Sequence, residues 1–179
     1  RIDIDAWKIA SGEVANSLLL EQLGGHKNPV LLSTGMSPWS EIDTAVEQIR
    51  SHGLPVVVMQ CTSIYPTPPE KTGIALIPKM RERYNCPVGL SDHSGTIYPG
   101  LAAAVYGIEV LELHVTFDRK MFGPDGPASV TFQELRQLVD GIRIIEVMVK
   151  SEVDKDLMAE ELRPLRQIFN KSITAATDL

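Results

Sequence analysis

The chain has 179 residues, of which 44% are hydrophobic and 22% charged, a composition typical of one globular domain. Its 17 basic and 23 acidic side chains give a net charge of -6 without any cluster of Lys or Arg, which argues against a nucleic-acid partner. The most apolar stretch, residues 100–115, is interrupted by charged residues and does not predict a membrane span. Cys61 and Cys86 lack metal-type spacing and predict a reduced, cytoplasmic protein.

Five short apolar runs, each bounded by turn residues, predict buried strands. They cover residues 7–10, 30–32, 55–59, 88–90 and 110–113. The runs are apolar throughout rather than alternating, which is expected when both faces of a sheet are covered.

Segments with helical spacing lie between these runs. The predicted helices cover residues 14–23, 42–49 and 135–149, together with an alanine-rich segment before the fifth strand. Ser37 and Pro38 open the second helix, whereas Pro78 interrupts a weaker pattern over residues 72–84. This alternation predicts repeated β-loop-α units on a parallel sheet, an α/β fold.

Polar or small residues follow each predicted strand. The strand ends read Ser11-Gly12-Glu13, Ser33-Thr34-Gly35, Cys61-Thr62-Ser63, Ser91-Asp92-His93 and His114-Val115-Thr116. In a parallel α/β fold these ends converge on one rim, where ligands bind. Any single group could instead cap the following helix, but five in succession favour a site.

His93 and His114 follow consecutive strands, with Asp92 and Glu112 beside them. A lone histidine at a strand end is more often a core or capping residue than a ligand. Two such imidazoles near carboxylates favour a labile catalytic ion such as Mn, Fe, Co or Zn over a structural zinc.

Four further side chains have two interpretations each. Lys8 lies within the first strand, where it either meets an anion or sits at the solvated strand entrance. Glu13 is a general acid or base, or a first-turn glutamate of the next helix. Tyr65 and Asp125 occupy proline-rich turns that either present them to a substrate or simply join two elements.

Five segments together resemble the successive strand-end motifs of the sialic acid synthase family, which includes N-acetylneuraminate synthase and its bacterial relatives. The segments are WKIASGE (7–13), LLSTGMS (31–37), CTSIYPTPPE (61–70), GLSDHS (89–94) and ELHVTFDRKMFGPDGPAS (112–129). They occur in the family's order over most of the chain, and as a set they are specific.

The resemblance implies a (β/α)8 TIM barrel that condenses phosphoenolpyruvate with an N-acetylated aldose, giving a nonulosonic acid and phosphate with the help of a divalent metal, Mn or Mg. By the family's pattern, His93 and His114 resemble the metal ligands. Glu13, Tyr65 and Asp125 resemble the catalytic and sugar-side groups. The substrate-binding groups correspond to Lys8, Ser11, Ser33, Ser63, Ser91 and Glu112. Ser63 stands where members acting on N-acetylmannosamine often carry Asn.

A complete barrel needs about 250 residues, and this chain supplies five strand-helix units, which by the family's pattern are the last five. We therefore expect residues 1–156 to be the C-terminal part of a barrel and residues 157–179 to be a terminal helix and the start of a linker. The expected assembly is a homo-oligomer or a complex with the missing part of the barrel.

Two alternatives to the synthase remain open. One is an inactive barrel fragment that acts as a folding or interaction module. The other is a different phosphoenolpyruvate-aldose condensing synthase, although no second basic cluster is present to hold a phosphorylated sugar.

Overall fold

The computed structural model describes residues 4–170. Its strands are β1 (Trp7–Ile9), β2 (Val30–Ser33), β3 (Val56–Cys61), β4 (Val88–Asp92), β5 (Val110–Thr116) and β6 (Ser129–Thr131). Its α-helices are α1 (Ser17–Glu21), α2 (Trp39–Ser51), α3 (Leu76–Tyr84), α4 (Tyr98–Val105), α5 (Phe132–Lys150), α6 (Lys155–Glu161) and α7 (Arg163–Phe169). No helix within residues 4–170 combines the length and hydropathy needed to cross a membrane.

All neighbouring strands pair in parallel, in the order in which they occur along the chain. The result is an open α/β sheet shaped as half of a TIM barrel, which confirms the predicted fold class and its incompleteness. The number of strands differs from the prediction, since β6 adds a sixth to the five expected. Its three residues, Ser-Val-Thr, are too few to form a recognisable apolar run.

The strand register explains where the core lies. Ile9, Leu32, Val58 and Val88 are aligned across four strands, and each is at most 4% exposed. This row faces the helices, and burying each side chain stabilises the fold by about 1.5–3 kcal/mol. The helices contribute Leu20, Ile42, Ala45, Val46, Ile49, Ile77, Met80 and Ala103 to the same cluster. The alternate strand residues therefore lie on the opposite, concave face.

Two helices differ from their predicted bounds for local reasons. α3 begins at Leu76, so Pro78 falls in its first turn, where a backbone N–H has no partner within the helix anyway. The proline is therefore compatible with the helix and does not interrupt it. α1 begins only at Ser17, because a 3-10 turn over Ser11–Glu13 precedes it and Asn16 caps it by accepting a hydrogen bond from the Leu19 N–H.

The chain divides into two compact units, with the boundary between Glu146 and Val147. The second unit contains two short helices, α6 and α7, where one terminal helix was predicted within residues 157–179. Pro164 accounts for the break, because its ring would clash with the preceding turn of a continuous helix. The predicted boundary at residues 156 and 157 stays a prediction, and residues 171–179, which the predicted linker includes, lie outside the described part of the chain.

Candidate functional site

The register of the sheet brings the predicted site residues together on the concave face. Cys61, Ser91 and Glu112 are aligned on β3, β4 and β5. His93 and His114 each lie two residues farther along the chain, on the same face because side chains alternate along a strand. Their ring centroids are 5.2 Å apart. The two imidazoles therefore lie close together at the ends of consecutive strands.

His93 is held from both sides of its ring. Its Nδ1 lies 3.2 Å from the Thr62 carbonyl oxygen, and its Nε2 lies 2.9 Å from the Tyr65 hydroxyl. A proton on Nδ1 would be donated to that carbonyl, which leaves a lone pair on Nε2 directed at the concave face. His93 is thus oriented as a ligand whose open nitrogen is covered by a tyrosine hydroxyl.

Cys61 lies beneath this histidine. Its Sγ is 3.9 Å from His93 Nδ1 and accepts a hydrogen bond from Ser11 Oγ at 3.3 Å. Burial disfavours the thiolate, yet the contacts with His93 and Ser11 lower the pKa of Cys61 below its usual value. Burial likewise disfavours the imidazolium, but the contact with Cys61 raises the pKa of His93. The two groups therefore favour each other's charged forms.

His114 and Asp125 form the second part of the site. The His114 Nδ1 lies 3.7 Å from Asp125 Oδ2, and the Tyr65 ring packs edge-on against the His114 ring at 5.7 Å. The loop from β5 to β6 returns Asp125 to the rim. Burial, and then the charges of Cys61, Asp125 and Glu112, raise the pKa of Tyr65. Tyr65 thus stays a neutral hydrogen-bond donor between both histidines.

Lys8 points onto the concave face, where its Nζ lies 3.1 Å from Glu112 Oε2. An anion for this lysine is thus supplied within the chain, while Lys8 itself stays partly exposed to solvent, and its role as a ligand-binding group stays a prediction. About a third of the Lys8 side chain and under half of the Glu112 side chain remain exposed. The ion pair therefore sits where a ligand entering the concave face would meet it.

The predicted serines line the floor of the site. Ser11 Oγ accepts a hydrogen bond from the Gly35 N–H at 3.0 Å, and Ser63 Oγ lies 4.0 Å from the sulfur of Cys61. Ser91 is 3% exposed on β4. Ser33 is 1% exposed, and its Oγ has no hydrogen-bond partner within the described residues. A buried hydroxyl without a partner costs free energy in the folded protein.

Glu13 is less closely connected to the other site residues. It ends the 3-10 turn after β1, and its carboxylate accepts a hydrogen bond from Asn16 Nδ2 at 2.6 Å. The next helical element after β1 is this 3-10 turn, so Glu13 does lie in a first helical turn, although α1 itself begins only at Ser17. The structure thus places Glu13 at the carboxyl end of β1, while its role stays a prediction.

Among residues 4–170, no group of three or more His, Cys, Asp or Glu side chains could by itself hold a metal ion. The two imidazoles nevertheless fit an open site, because a catalytic ion keeps positions for water and substrate. His93 and His114 would hold such an ion, and Asp125 lies beside them.

Three features of the site were missed from sequence. Gly35 approaches the floor so closely that a Cβ would lie 2.4 Å from Ser63 Oγ and 2.7 Å from Cys61 Sγ. The Thr62 carbonyl orients His93, and Arg119 ties the loop of Asp125 to its neighbours. A glycine at a strand end is a weak sequence signal for the close approach at Gly35. The Thr62 carbonyl contact and the long-range contacts of Arg119 have no local sequence pattern.

Comparison with known proteins adds the family. The model of the NeuB family matches residues 1–154. The chain belongs to the NeuB family. This confirms the resemblance that the five motifs indicated.

Two relatives show how much of a family member is present. An uncharacterized protein of Methanocaldococcus jannaschii, MJ1065, is 37% identical over 152 residues, which are 84% of this chain and 45% of that protein. The N,N'-diacetyllegionaminic acid synthase of Campylobacter jejuni is 31% identical over 99% of this chain and 54% of its own length. This NeuB chain therefore spans about half the length of these relatives.

A solved structure extends the likeness to three dimensions. The N-acetylneuraminic acid synthetase from Leptospira borgpetersenii, crystallised with citrate, superposes with a TM-score of 0.82 at 30% identity. The match covers 93% of this chain and 59% of that chain. The NeuB half-barrel described above is therefore similar in fold to that synthetase over the region they share.

Proposed function

We propose that this NeuB chain carries the metal and phosphoenolpyruvate groups of a synthase that condenses phosphoenolpyruvate with an N-acetylated aldose. The product is a nonulosonic acid, with release of phosphate. The observation that carries the proposal is the convergence of His93, His114 and Lys8 on one concave face, beside buried hydroxyls. The printed names of the relatives, which are sialic and legionaminic acid synthases, support this reaction class.

Lys8 is the proposed anchor of the phosphoenolpyruvate anion. Its Nζ now pairs with Glu112, and a phosphate or carboxylate on the concave face would compete for that cation. Ser33 has a buried hydroxyl without a partner, and Ser11, Ser63 and Ser91 line the same floor. These hydroxyls supply hydrogen bonds that hold the anion in one orientation.

The sugar side is assigned to Tyr65 and Asp125, which flank the two histidines. A divalent ion, Mn or Mg, held by His93 and His114 would supply a Lewis acid for the sugar aldehyde. In the proposed reaction, a carbon-carbon bond forms between C3 of phosphoenolpyruvate and the aldehyde carbon, using the C2–C3 and carbonyl π electrons, and the aldehyde oxygen takes up a proton. Glu13 accepts a proton from the water whose oxygen adds at C2. The C2–O bond to phosphate then breaks, and the added hydroxyl loses its proton to the departing phosphate, which leaves a ketone at C2.

Assembly with further barrel strands belongs to this proposal. Residues 110–113 of β5 pair with β4, while β6 pairs only with residues 114–116. A groove of about 600 Å³ lies along β5 and is lined mainly by apolar side chains, among them Leu111, Leu113, Leu135, Leu138, Val139 and Ile142, with Lys8, Glu112 and Arg143 also in its lining. An apolar groove beside a free strand edge favours the addition of another strand, from a second copy or from the rest of a barrel.

The test separates ligand binding from turnover. Binding of Mn²⁺ is followed by electron paramagnetic resonance, binding of phosphoenolpyruvate by calorimetry, and phosphate release is assayed with both plus N-acetylmannosamine. We expect saturable Mn²⁺ binding that His93→Asn and His114→Asn abolish and that His26→Asn, in a loop away from the rim, leaves unchanged. Absence of both Mn²⁺ and phosphoenolpyruvate binding would favour an inactive barrel fragment, whereas binding without turnover would indicate that residues beyond this chain complete the site.

A further inference from the structure

Arg119 lies in the loop from β5 to β6 and contacts three different elements. Its Nε donates to the Ser129 carbonyl of β6 at 3.0 Å. Its terminal NH2 group donates to the Gly95 carbonyl, in the loop after β4, at 2.8 Å and to Glu134 Oε2, in the first turn of α5, at 2.6 Å. One guanidinium therefore joins the loops that follow two consecutive strands.

Glu134, which accepts a hydrogen bond from Arg119, is itself held in place by the backbone. Its carboxylate accepts the Thr131 N–H at 2.8 Å and the Thr131 hydroxyl at 2.9 Å, which closes the start of α5. The Thr131 N–H, followed by Arg119, lowers the pKa of Glu134, so the carboxylate stays charged at neutral pH. Arg119 is thus held by an anion that is itself anchored to the backbone.

The two loops also pack directly against each other. Gly95 has a φ of +70°, and a Cβ at this position would lie 2.3 Å from the Pro127 carbonyl oxygen. Gly95 comes two residues after His93, and Pro127 comes two residues after Asp125. The Ser129 hydroxyl closes the same segment by donating to the Asp125 carbonyl at 2.7 Å.

We infer that Arg119 is a positioning residue that sets the separation between His93 and the His114–Asp125 pair. Arg119 touches none of these three side chains, but it joins the loop that carries His93 to the loop that carries Asp125. The expected effect on metal affinity rests on the proposed function, because the separation of the two histidines matters when both bind one ion. Mutating a residue that orients metal ligands without touching the metal typically lowers metal affinity about 10- to 100-fold.

The test compares Arg119→Gln with Arg136→Gln, an exposed arginine on α5 that pairs with Asp140 at 2.9 Å. Mn²⁺ affinity is measured by electron paramagnetic resonance, and hydrogen exchange is followed in residues 93–97 and 118–128. We expect Arg119→Gln to weaken Mn²⁺ binding about tenfold and to accelerate exchange in both segments, while Arg136→Gln changes neither.

Arg119→Lys separates charge from geometry, because an ammonium group keeps the charge but lacks the planar fork that reaches all three acceptors. We expect this variant to behave like Arg119→Gln, and full rescue by lysine would overturn the inference. Gly95→Ala tests the coupling of the two loops without changing Arg119. The added Cβ pushes the two loops apart, so this variant should also accelerate exchange in both segments.

Faster exchange in residues 118–128 alone would also overturn the inference, as would an unchanged Mn²⁺ affinity in Arg119→Gln. If the native chain binds no Mn²⁺, the proposed function fails, and the exchange comparison still decides whether Arg119 couples the two loops.

Discussion

Lys8 Nζ on β1 and Glu112 Oε2 on β5 lie 3.1 Å apart, so two strands that are not neighbours in the sheet contact each other across its concave face. A partly exposed pair of this kind contributes only about 0.2–1 kcal/mol to stability. An anionic ligand can therefore displace Glu112 from Lys8 at small cost, and in the free protein Glu112 neutralises the charge of Lys8.

Replacing Lys8 with methionine separates its role in anion binding from its role in stabilising the fold. We expect Lys8→Met to lower the affinity for phosphoenolpyruvate by about 1.5–3 kcal/mol, the usual value of a hydrogen bond to a charged group, because the anion loses its cation. The free energy of unfolding should change by less than about 1 kcal/mol. Calorimetric titration and urea unfolding measure the two effects. Lys79→Met, on the exposed side of α3, is the control, and equal losses of affinity in both variants would contradict the role of Lys8.

Ser33 predicts the opposite relation between stability and binding. Its buried hydroxyl has no partner within the described residues, so Ser33→Ala removes an unsatisfied polar group. We expect the free energy of unfolding to rise by about 1 kcal/mol, while phosphoenolpyruvate binding weakens. Urea unfolding and calorimetry are again the measurements. The control is Ser51→Ala on α2, where the hydroxyl is exposed and donates to the Gln48 carbonyl. Destabilisation by Ser33→Ala would indicate that the hydroxyl stabilises the native fold.

Much of the fold follows from local pattern. The apolar runs locate five strands within one to three residues, because strands covered by helices need an uninterrupted apolar sequence. The convergence of His93 and His114 also follows, since parallel strands end at one rim. β6 does not follow, because its three residues pair through contacts to β5 that no local pattern encodes.

The contacts that fix side-chain geometry were less predictable. Lys8 and Glu112 are over a hundred positions apart in sequence, and their pairing depends on the curvature of the sheet. Arg119 reads locally as an ordinary charged loop residue, although it joins three elements. Pro78 reads as a helix breaker until the start of α3 is known. Long-range contacts determine the first two cases, whereas the case of Pro78 depends on where α3 begins.

Gly35 provides a test of how tightly the floor of the site is packed. A Cβ would lie 2.4 Å from Ser63 Oγ, 2.7 Å from Cys61 Sγ and 2.8 Å from Ser11 Oγ. We expect Gly35→Ala to destabilise the fold by about 1–3 kcal/mol, the usual cost of overpacking, as measured by urea unfolding. Gly12→Ala is the matched control, because its nearest neighbour, the flexible Met36 Cε, would lie 3.4 Å away. Equal stability of the two alanine variants would contradict this packing.

Asp43 predicts the acid dependence of stability. Arg83 Nε donates to Asp43 Oδ1 at 2.8 Å, and the Tyr84 hydroxyl donates to the same oxygen at 2.9 Å. The hydrogen bond from Arg83, more than the one from Tyr84, lowers the pKa of Asp43 below its ordinary value. Between the folded and the unfolded pKa of Asp43, the folded state therefore binds fewer protons than the unfolded state, so stability rises with pH.

The contribution of Asp43 is fully present above the unfolded carboxyl pKa of about 3.9 and is lost as the pH falls through the lower folded pKa. We expect Asp43→Asn to be less stable than the native protein at pH 7 and to lose less stability on acidification, because it has no carboxylate to protonate. Urea midpoints between neutral pH and about pH 2.5 measure this difference. Glu47→Gln, an exposed carboxyl on the same helix, is the control. Parallel pH profiles for native and Asp43→Asn proteins would mean that the Arg83 contact does not persist in solution.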